Sequence, residues 1–535
     1  MDPSLLPLVA LYPEIHYRFK YFHFSTYFKK EPEILIDLPY KTLSKNVPVF
    51  ILIKDADKYP VRLHAVKFSF DFENGTHFAK TYLVKKDIDK KFYCRSFHFE
   101  FDDVSGIANV EAQIQVTING VQLEYVNDNF NKEITELKVF IDDNEEMFDG
   151  FLQGDLHYHS QFTSDQVEFG APLTMTRDCS ESLGLNFVGV TDHSYDLDDE
   201  VDNYLKRDVD TPLFHKMRSV CADLTDEDIN FIAGEEITVR NSKGRNVHML
   251  ALNNKDFFYG EGDSAEKWLD RHSTNSIDNV IRTADENTLL IAAHPLNKVP
   301  LLEYFLIKRG VWDNADLSNE KLKLLQILNG EFDENFQAGK NKWVEMLLSG
   351  RKMFIVAGND AHGNFNLFRQ IKFPMFKLTK ENKQIFGRCR TVVKAESNST
   401  ENVLAALNNG LSYITNGPHV NFIITDKNET EYTFGDEIIT KEGDLKLFFN
   451  IKSSNHSGHI KSVLIFRGNL QSSGEKVIYT NSPKNDIFEF EDTIDIPEDK
   501  ISCYFRIEIN SVYHAPNGDL SNNYAMSNPI WIYRY

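Results

Sequence analysis

Six of the chain's 17 histidines, namely His157, His159, His193, His248, His294 and His362, fall at or near the ends of short apolar stretches that read as strands. Three carboxylates, Asp165, Glu236 and Asp360, share that placement. In Asp155-Leu156-His157-Tyr158-His159 the two histidines flank a single residue. Side chains alternate across an extended strand, so both histidines point to one face. Taken alone, such a pair also fits an ordinary solvent-facing strand. Nine imidazoles and carboxylates gathered in one region do not fit core packing, because such groups need partners when buried. Divalent ions would supply them. His16, His77, His215 and His456 lack this placement and read as ordinary surface or core residues.

The same region alternates strands with helices. Residues 187–191, 229–233, 247–252, 288–293, 324–328 and 353–357 read as strands. Residues 173–184 read as a helix closed by a C-cap glycine. Ile277, Val280, Ile281 and Ala284 share one helical face, and a further helix is expected around 343–349. Repeated strand–helix units with polar residues at strand ends describe a barrel or a related α/β sheet, with its site at the carboxyl end.

The flanks differ. Val110, Ala112, Ile114, Val116 and Ile118 alternate with polar residues, and Asn119-Gly120 offers a type I′ hairpin turn into 121–125. Residues 49–53 and 66–70 add strands, so 1–148 reads as an immunoglobulin-like β-sandwich. The acidic stretch 142–146 reads as the linker out of it. A helix through Val403, Leu404 and Leu407 stops at Gly410, and Thr415-Asn416-Gly417-Pro418 marks a second boundary. Ile501, Cys503, Phe505, Ile507 and Ile509 then alternate, and residues 418–535 read as a second β-sandwich. The expected architecture is a central barrel over 149–417 between two sandwiches.

A formal charge of −22 disfavours nucleic acid as a partner, since phosphate backbones are repelled and no basic tract compensates. The five cysteines show no CxxC spacing, which fits reduced thiols and a cytoplasmic setting. The first residues lack the basic start and cleavage pattern of a secretion signal, and no apolar run reaches membrane-spanning length, so no membrane partner is expected.

One first-row divalent ion takes about four to six ligands, so nine donors imply several ions. A carboxylate such as Glu236 or Asp360 can bridge two of them. Imidazole and carboxylate without thiolate suit Zn²⁺, Mn²⁺ or Fe²⁺. Asp192 and Asn359, beside ligands, are candidates for orienting the imidazoles. The set His157-Tyr158-His159 with Asp165, Thr191-Asp192-His193, Gly234-Glu235-Glu236, His248, Ala293-His294-Pro295 and Asp360-Ala361-His362 resembles the polymerase and histidinol phosphatase (PHP) domain superfamily. Within it the chain looks most like the carbaryl-hydrolase-like (CehA/McbA-type) branch. The resemblance covers about half the chain. It implies a distorted seven-stranded (β/α) barrel with a trinuclear centre. His157, His159, Glu236 and Asp360 would hold one ion, Asp165, His193 and His362 a second, and Glu236, His248 and His294 a third. A hydroxide bridging the ions would be the nucleophile.

The resemblance implies a metal-dependent hydrolase of a small-molecule ester, first a phosphoesterase. A carbamate or carboxylic-ester hydrolase on the same centre is the alternative. A non-catalytic, metal-stabilised binding module is a third reading, set against the complete ligand set. An ordinary amidohydrolase also opens with a histidine pair, but it would close on a lone aspartate. Arg240, Lys243 and Arg245 lie in a loop between two ligands and suit a phosphate, although basic loop residues commonly just face solvent. Arg177 and Arg369 are similar candidates, the loop at 166–170 is a candidate pocket wall, and Tyr158 is expected to pack behind its strand.

Overall fold

Residues 33–141 form two antiparallel sheets that share one apolar core. Glu33–Asp37, Asn46–Lys54 and Phe92–Glu100 make a three-stranded sheet, and His77–Ile88, Val61–Phe72, Gly106–Ile118 and Val121–Val126 make the body of the second. The alternation expected around Val110 is real: Val110, Ala112, Ile114, Val116 and Ile118 all face the core. Asn119 and Gly120 have φ of 51° and 78°, the left-handed pair that a type I′ turn needs. The computed structural model describes residues 32–129, 134–163, 170–201, 203–262, 271–366, 384–441, 444–497, 500–514 and 520–535.

The middle of the chain builds a mixed sheet whose strands follow one another in space as in sequence. They are Phe151–His159, Phe187–Val190, Asn230–Arg240, Asn246–Leu252, Leu289–Ala292, Leu324–Asn329 and Phe354–Gly358. Neighbours are parallel except around the fourth strand, which runs antiparallel to both the third and the fifth. No helix separates the third strand from the fourth; the loop Asn241–Arg245 joins them as a hairpin. The sheet curls back on itself. Just past the seventh strand, Ala361 and His362 pair in parallel with Tyr158 and His159 of the first, and the Asp360 amide donates to the His157 carbonyl at 2.8 Å. Gly358 permits this approach, because a Cβ there would lie 2.5 Å from the His157 Cβ.

Helices cover the sheet where the periodicity placed them. Leu173–Leu183 ends at Gly184 in the left-handed conformation, φ 67°. Ile277–Thr283 starts at Ser276, whose side chain accepts the Asn279 amide, and it buries Ile277, Val280 and Ile281. Glu334–Leu348 starts at Asp333 and buries Trp343. Leu35, Phe50 and Leu52 of the first sandwich pack with Leu173, Met175 and Cys179, so an apolar interface locks that sandwich onto the helix. Burying a side chain the size of Phe50 contributes about 1.5–3 kcal/mol.

Two expectations about domain joints give way to more intimate packing. The stretch read as a linker is buried at Asp143 and Glu145. Glu145 takes Lys41 from the first sandwich, Arg390 from the strand beside Phe151–His159, and His419 Nε2 at 2.7 Å. The buried charges of Lys41 and Arg390 explain why an acidic segment leaves the surface: Asp143 and Glu145 supply their carboxylates. The sheet also does not stop at the second boundary. Arg390–Lys394 pairs with the first strand, Ser412–Thr415 pairs with Arg390–Lys394, and Leu520–Ser527 then extends the same sheet through Cys503–His514 and His459–Asn469. A four-stranded sheet containing His419–Thr425 and Leu445–Lys452 covers this extension over a core of Phe422, Phe449, Phe505 and Ile507.

No disulfide joins the five cysteines, and four of them are buried. Among the described residues no helix is long and apolar enough to cross a membrane.

Candidate metal centre

The curl of the sheet brings eight of the nine expected ligands into one buried cluster. His157 and His159 lie on the inner face of the first strand, both with 0% exposure. His193 follows the second strand, His294 the fifth, and Asp360 and His362 the seventh. Glu236 lies within the third strand rather than at its end, because that strand runs on to Arg240. His248 sits near the start of the antiparallel fourth strand, which is the end lying beside its neighbours' carboxyl ends. Asp165 falls outside the described residues.

Three groups of donor atoms form: His157, His159, Glu236 and Asp360; His159, His193 and His362; and Glu236, His248 and His294. Glu236 is their hub. Its Oε2 lies 3.4 Å from both His157 Nε2 and His159 Nε2 and 3.0 Å from His193 Nδ1. Its Oε1 lies 2.6 Å from His248 Nδ1 and 3.3 Å from His294 Nε2. His159 Nε2 is 3.1 Å from both His157 Nε2 and Asp360 Oδ1. The expected grouping omitted one feature, that His159 faces two of these clusters.

The donors fit ions better than they fit each other. Glu236 Oε2 and His193 Nδ1 are buried side by side, and among the described residues neither has a hydrogen-bond partner. Lone pairs converging on a common point leave such orphans, and a cation at that point satisfies them. Asp360 and His294 adopt φ of 53° and 27°, conformations that cost side-chain-bearing residues energy and recur at functional sites.

The electrostatics are those of a tight cluster. Burial pushes the Glu236 carboxyl up, but His248 and His157 more than offset it and hold it well below the usual carboxylate range. Asp360 behaves alike, with His157 as its main stabiliser. Burial pulls His193 well below the usual imidazole range, helped by the charge on His159. His159 moves the other way, because Asp360 and Glu236 overcome its burial.

The supporting residues are mostly not those expected. Asp192 orients no imidazole directly: its carboxylate accepts from Ser160 and Thr163, and Thr163 Oγ1 lies 3.3 Å from His159 Nδ1. Asn359 binds Asp155 and the Cys389 backbone rather than a histidine. The residue that fixes an imidazole is Gln326, with Oε1 2.9 Å from His157 Nδ1. Asn329 and Gln384 donate to Asp360 Oδ2. The contacts of Gln326, Asn329 and Gln384 are all long-range, and no spacing in the sequence marks them.

The basic loop between the third and fourth strands spends its charges elsewhere. Lys243 pairs with Asp313, Arg245 donates to the Tyr304 carbonyl and stacks on its ring, and Arg240 is exposed. Arg177 pairs with Asp226, and Arg369 falls outside the described residues, as does most of the loop at 166–170. Tyr158 packs behind its strand, with its hydroxyl 2.8 Å from Thr176 Oγ1. Among the described residues Arg309 reaches the cluster, with Nη1 2.6 Å from His248 Nε2 and 3.1 Å from Nδ1 of the same ring.

Fold and site together define a multidomain, mostly-β protein whose large mixed sheet encloses a buried His/Glu/Asp cluster suited to metal ions. No family model and no curated protein matches the chain. Among solved structures, a β-glucuronidase from Parabacteroides merdae aligns at 12% identity and TM-score 0.19, over 94% of this chain and 64% of that one. A putative β-galactosidase from Bacteroides fragilis aligns at 10% identity and TM-score 0.17, over 94% and 74%. A β-D-mannosidase from Dictyoglomus thermophilum aligns at 9% identity and TM-score 0.20, over 93% and 66%. At these scores the alignments carry no argument about fold or activity. The chain spans under two thirds of the first enzyme's length.

Proposed function

We propose that the chain is a metal-dependent hydrolase of the PHP superfamily, and that its curled middle sheet is the distorted seven-stranded barrel of that superfamily. The observation that carries this reading is the convergence of five imidazoles on the single carboxylate of Glu236. The reaction assigned is hydrolysis of a small-molecule phosphoester. When bound, Zn²⁺, Mn²⁺ or Fe²⁺ supplies a deprotonated water as nucleophile and neutralises charge on the oxygens of the scissile group. Glu236 divides its two oxygens between neighbouring groups, which sets their spacing. Gln326 holds the proton of His157 on Nδ1 and leaves the Nε2 lone pair facing the cluster. Asn329 and Gln384 keep the Asp360 carboxylate turned inward.

Hydrolysis of a carbamate or carboxylic ester is the second reading, and one observation favours it. Lys243 is paired with Asp313 and Arg245 donates to the Tyr304 carbonyl, so two of the cations that would suit a phosphate are already engaged.

The deciding experiment compares a phosphomonoester, a phosphodiester and an aryl carbamate as substrates of Mn²⁺- or Zn²⁺-loaded protein, with Asp360→Ala as control. Phosphoester turnover lost in the variant supports the first reading. Carbamate turnover alone transfers the assignment to the second. Turnover of all substrates unchanged in Asp360→Ala refutes both.

A further inference from the structure

The side chains of Gln326 and Asn329 meet although a regular strand would part them. Residues three apart on a strand point to opposite faces. The sixth strand, Leu324–Asn329, slips its register at Ile327: Gln326 pairs with Val356, and Leu328 pairs with Ala357, the next residue of the seventh strand. One extra residue on one side is a bulge, which re-aims the side chains beyond it. Asn329 thereby comes to the face of Gln326, whose Nε2 donates to Asn329 Oδ1 at 3.0 Å. Gly358 leaves the room for this contact, since a Cβ there would lie 3.0 Å from Gln326 Nε2.

The two amides join two candidate ligands into one chain of hydrogen bonds. Asn329 Nδ2 donates to Asp360 Oδ2 at 3.3 Å, and Gln326 Oε1 lies 2.9 Å from His157 Nδ1. Both ends belong to the group of His157, His159, Glu236 and Asp360, where His157 Nε2 is 3.4 Å from Asp360 Oδ1. The direction of the chain is set at Asp360. An ionised carboxylate only accepts, so Asn329 turns its NH₂ toward it. The Asn329 oxygen is then left for Gln326, which presents its own NH₂. That turns Gln326 Oε1 to His157, so the ring proton stands on Nδ1 and the Nε2 lone pair faces the group. Reversing either amide sets like groups against each other and leaves buried donors or acceptors unsatisfied. Gln384 Nε2 donates to the same Asp360 oxygen at 3.1 Å, from outside this chain.

We infer that Asn329 positions two ligands of one ion: it holds the Asp360 carboxylate directly and, through Gln326, fixes the tautomer of His157. The bulge at Ile327 is what lets one side chain do both. The inference rests on the metal-dependent reading above but not on which ester is cleaved.

Mn²⁺ affinity, read by competition with a chelating dye, tests it without reference to activity. The effect of Asn329→Leu is measured in wild type, in Gln326→Leu and in Gln326→Glu, and thermal unfolding checks that each variant folds. In wild type the substitution removes both effects, and a loss of about 100-fold is expected. In Gln326→Leu the route to His157 is already cut, so the further loss shrinks to about tenfold. Gln326→Glu gives His157 an acceptor that works whichever way residue 329 faces, and there too the loss is about tenfold. Gln384→Leu, which acts on Asp360 from outside the chain, should lose the same factor in wild type and in Gln326→Leu. An Asn329→Leu loss of equal size in all three backgrounds overturns the inference, because Asn329 then acts on Asp360 alone. Unchanged affinity in Asn329→Leu also overturns it, as does a Gln384→Leu loss that shrinks in Gln326→Leu. If Asn329→Leu does not fold, Asn329→Ala takes its place; if Gln326→Leu does not, the Gln326→Glu background decides. Wild type that binds no Mn²⁺ overturns the metal-dependent reading itself, which separates the two failures.

Discussion

Asp155 accepts the Asn359 amide on Oδ1 at 3.1 Å and the Asn359 side chain on Oδ2 at 2.7 Å, across 204 residues of sequence. The same carboxylate accepts the amides of His157 and Gly387. The turn that delivers Asp360 and His362 is thereby tied to the strand that carries His157 and His159. Replacing Asp155 with Ala leaves those donors buried without an acceptor, at a cost of about 3 kcal/mol. Urea unfolding of Asp155→Ala against wild type checks it, and a change below about 1 kcal/mol would show that water replaces the carboxylate.

Gln326 touches no substrate in this scheme and acts only by orienting His157. Partners of this kind typically contribute a factor of about 10–100 in metal affinity. Gln326→Leu keeps the side-chain size and removes the acceptor, so Mn²⁺ affinity measured against a chelating dye should fall within that range. Wild-type affinity in Gln326→Leu would place the control of His157 elsewhere.

Removing metal should weaken the whole molecule, because the orphaned donors around Glu236 are buried. An ion at a hundredfold excess over its Kd stabilises the folded state by about 2.7 kcal/mol per site. Calorimetry of loaded protein should therefore show a lower Tm after treatment with a chelator. A Tm indifferent to chelator would mean that the cluster is satisfied without ions.

Acid should weaken the join between the last sandwich and the Glu334–Leu348 helix. There Glu508 pairs with Arg506 and with Lys340 at 2.6 Å, while Arg506 Nε donates to Glu475 at 2.7 Å. Burial pushes the Glu508 carboxyl up, but Arg506 and Lys340 win, and its pKa falls below the ordinary glutamate value. A carboxyl depressed in the folded state contributes stability that is complete above its unfolded pKa of about 4.3 and is lost as pH falls through the lower folded value. Glu508→Gln removes that contribution, so its stability profile below pH of about 4.3 should be flatter than that of wild type. Parallel acid limbs for the two proteins would contradict the assignment.

Much of the cluster was legible because its imidazoles and carboxylates stand in local patterns. The HxH pair depends only on strand alternation, and the remaining ligands stand beside short strands whose apolar runs are visible without a partner. The hairpin at Asn119-Gly120 and the helix closed by Gly184 were legible for the same reason: left-handed φ is a property of single residues. The antiparallel fourth strand was not, because His248 sits at the same kind of sequence position whichever way its strand runs.

By itself the sequence determined how the strands alternate, and that carboxylate and imidazole rather than thiolate make up the cluster. Only the tertiary structure decided how those donors are shared. It made Glu236 the hub, gave His157 its partner in Gln326, buried the acidic segment at Glu145 against Lys41 and Arg390, and set Arg309 against His248. These are contacts between residues far apart in sequence. They arise only when the sheet curls far enough to bring His362 beside His159, and no local preference of either residue encodes that closure.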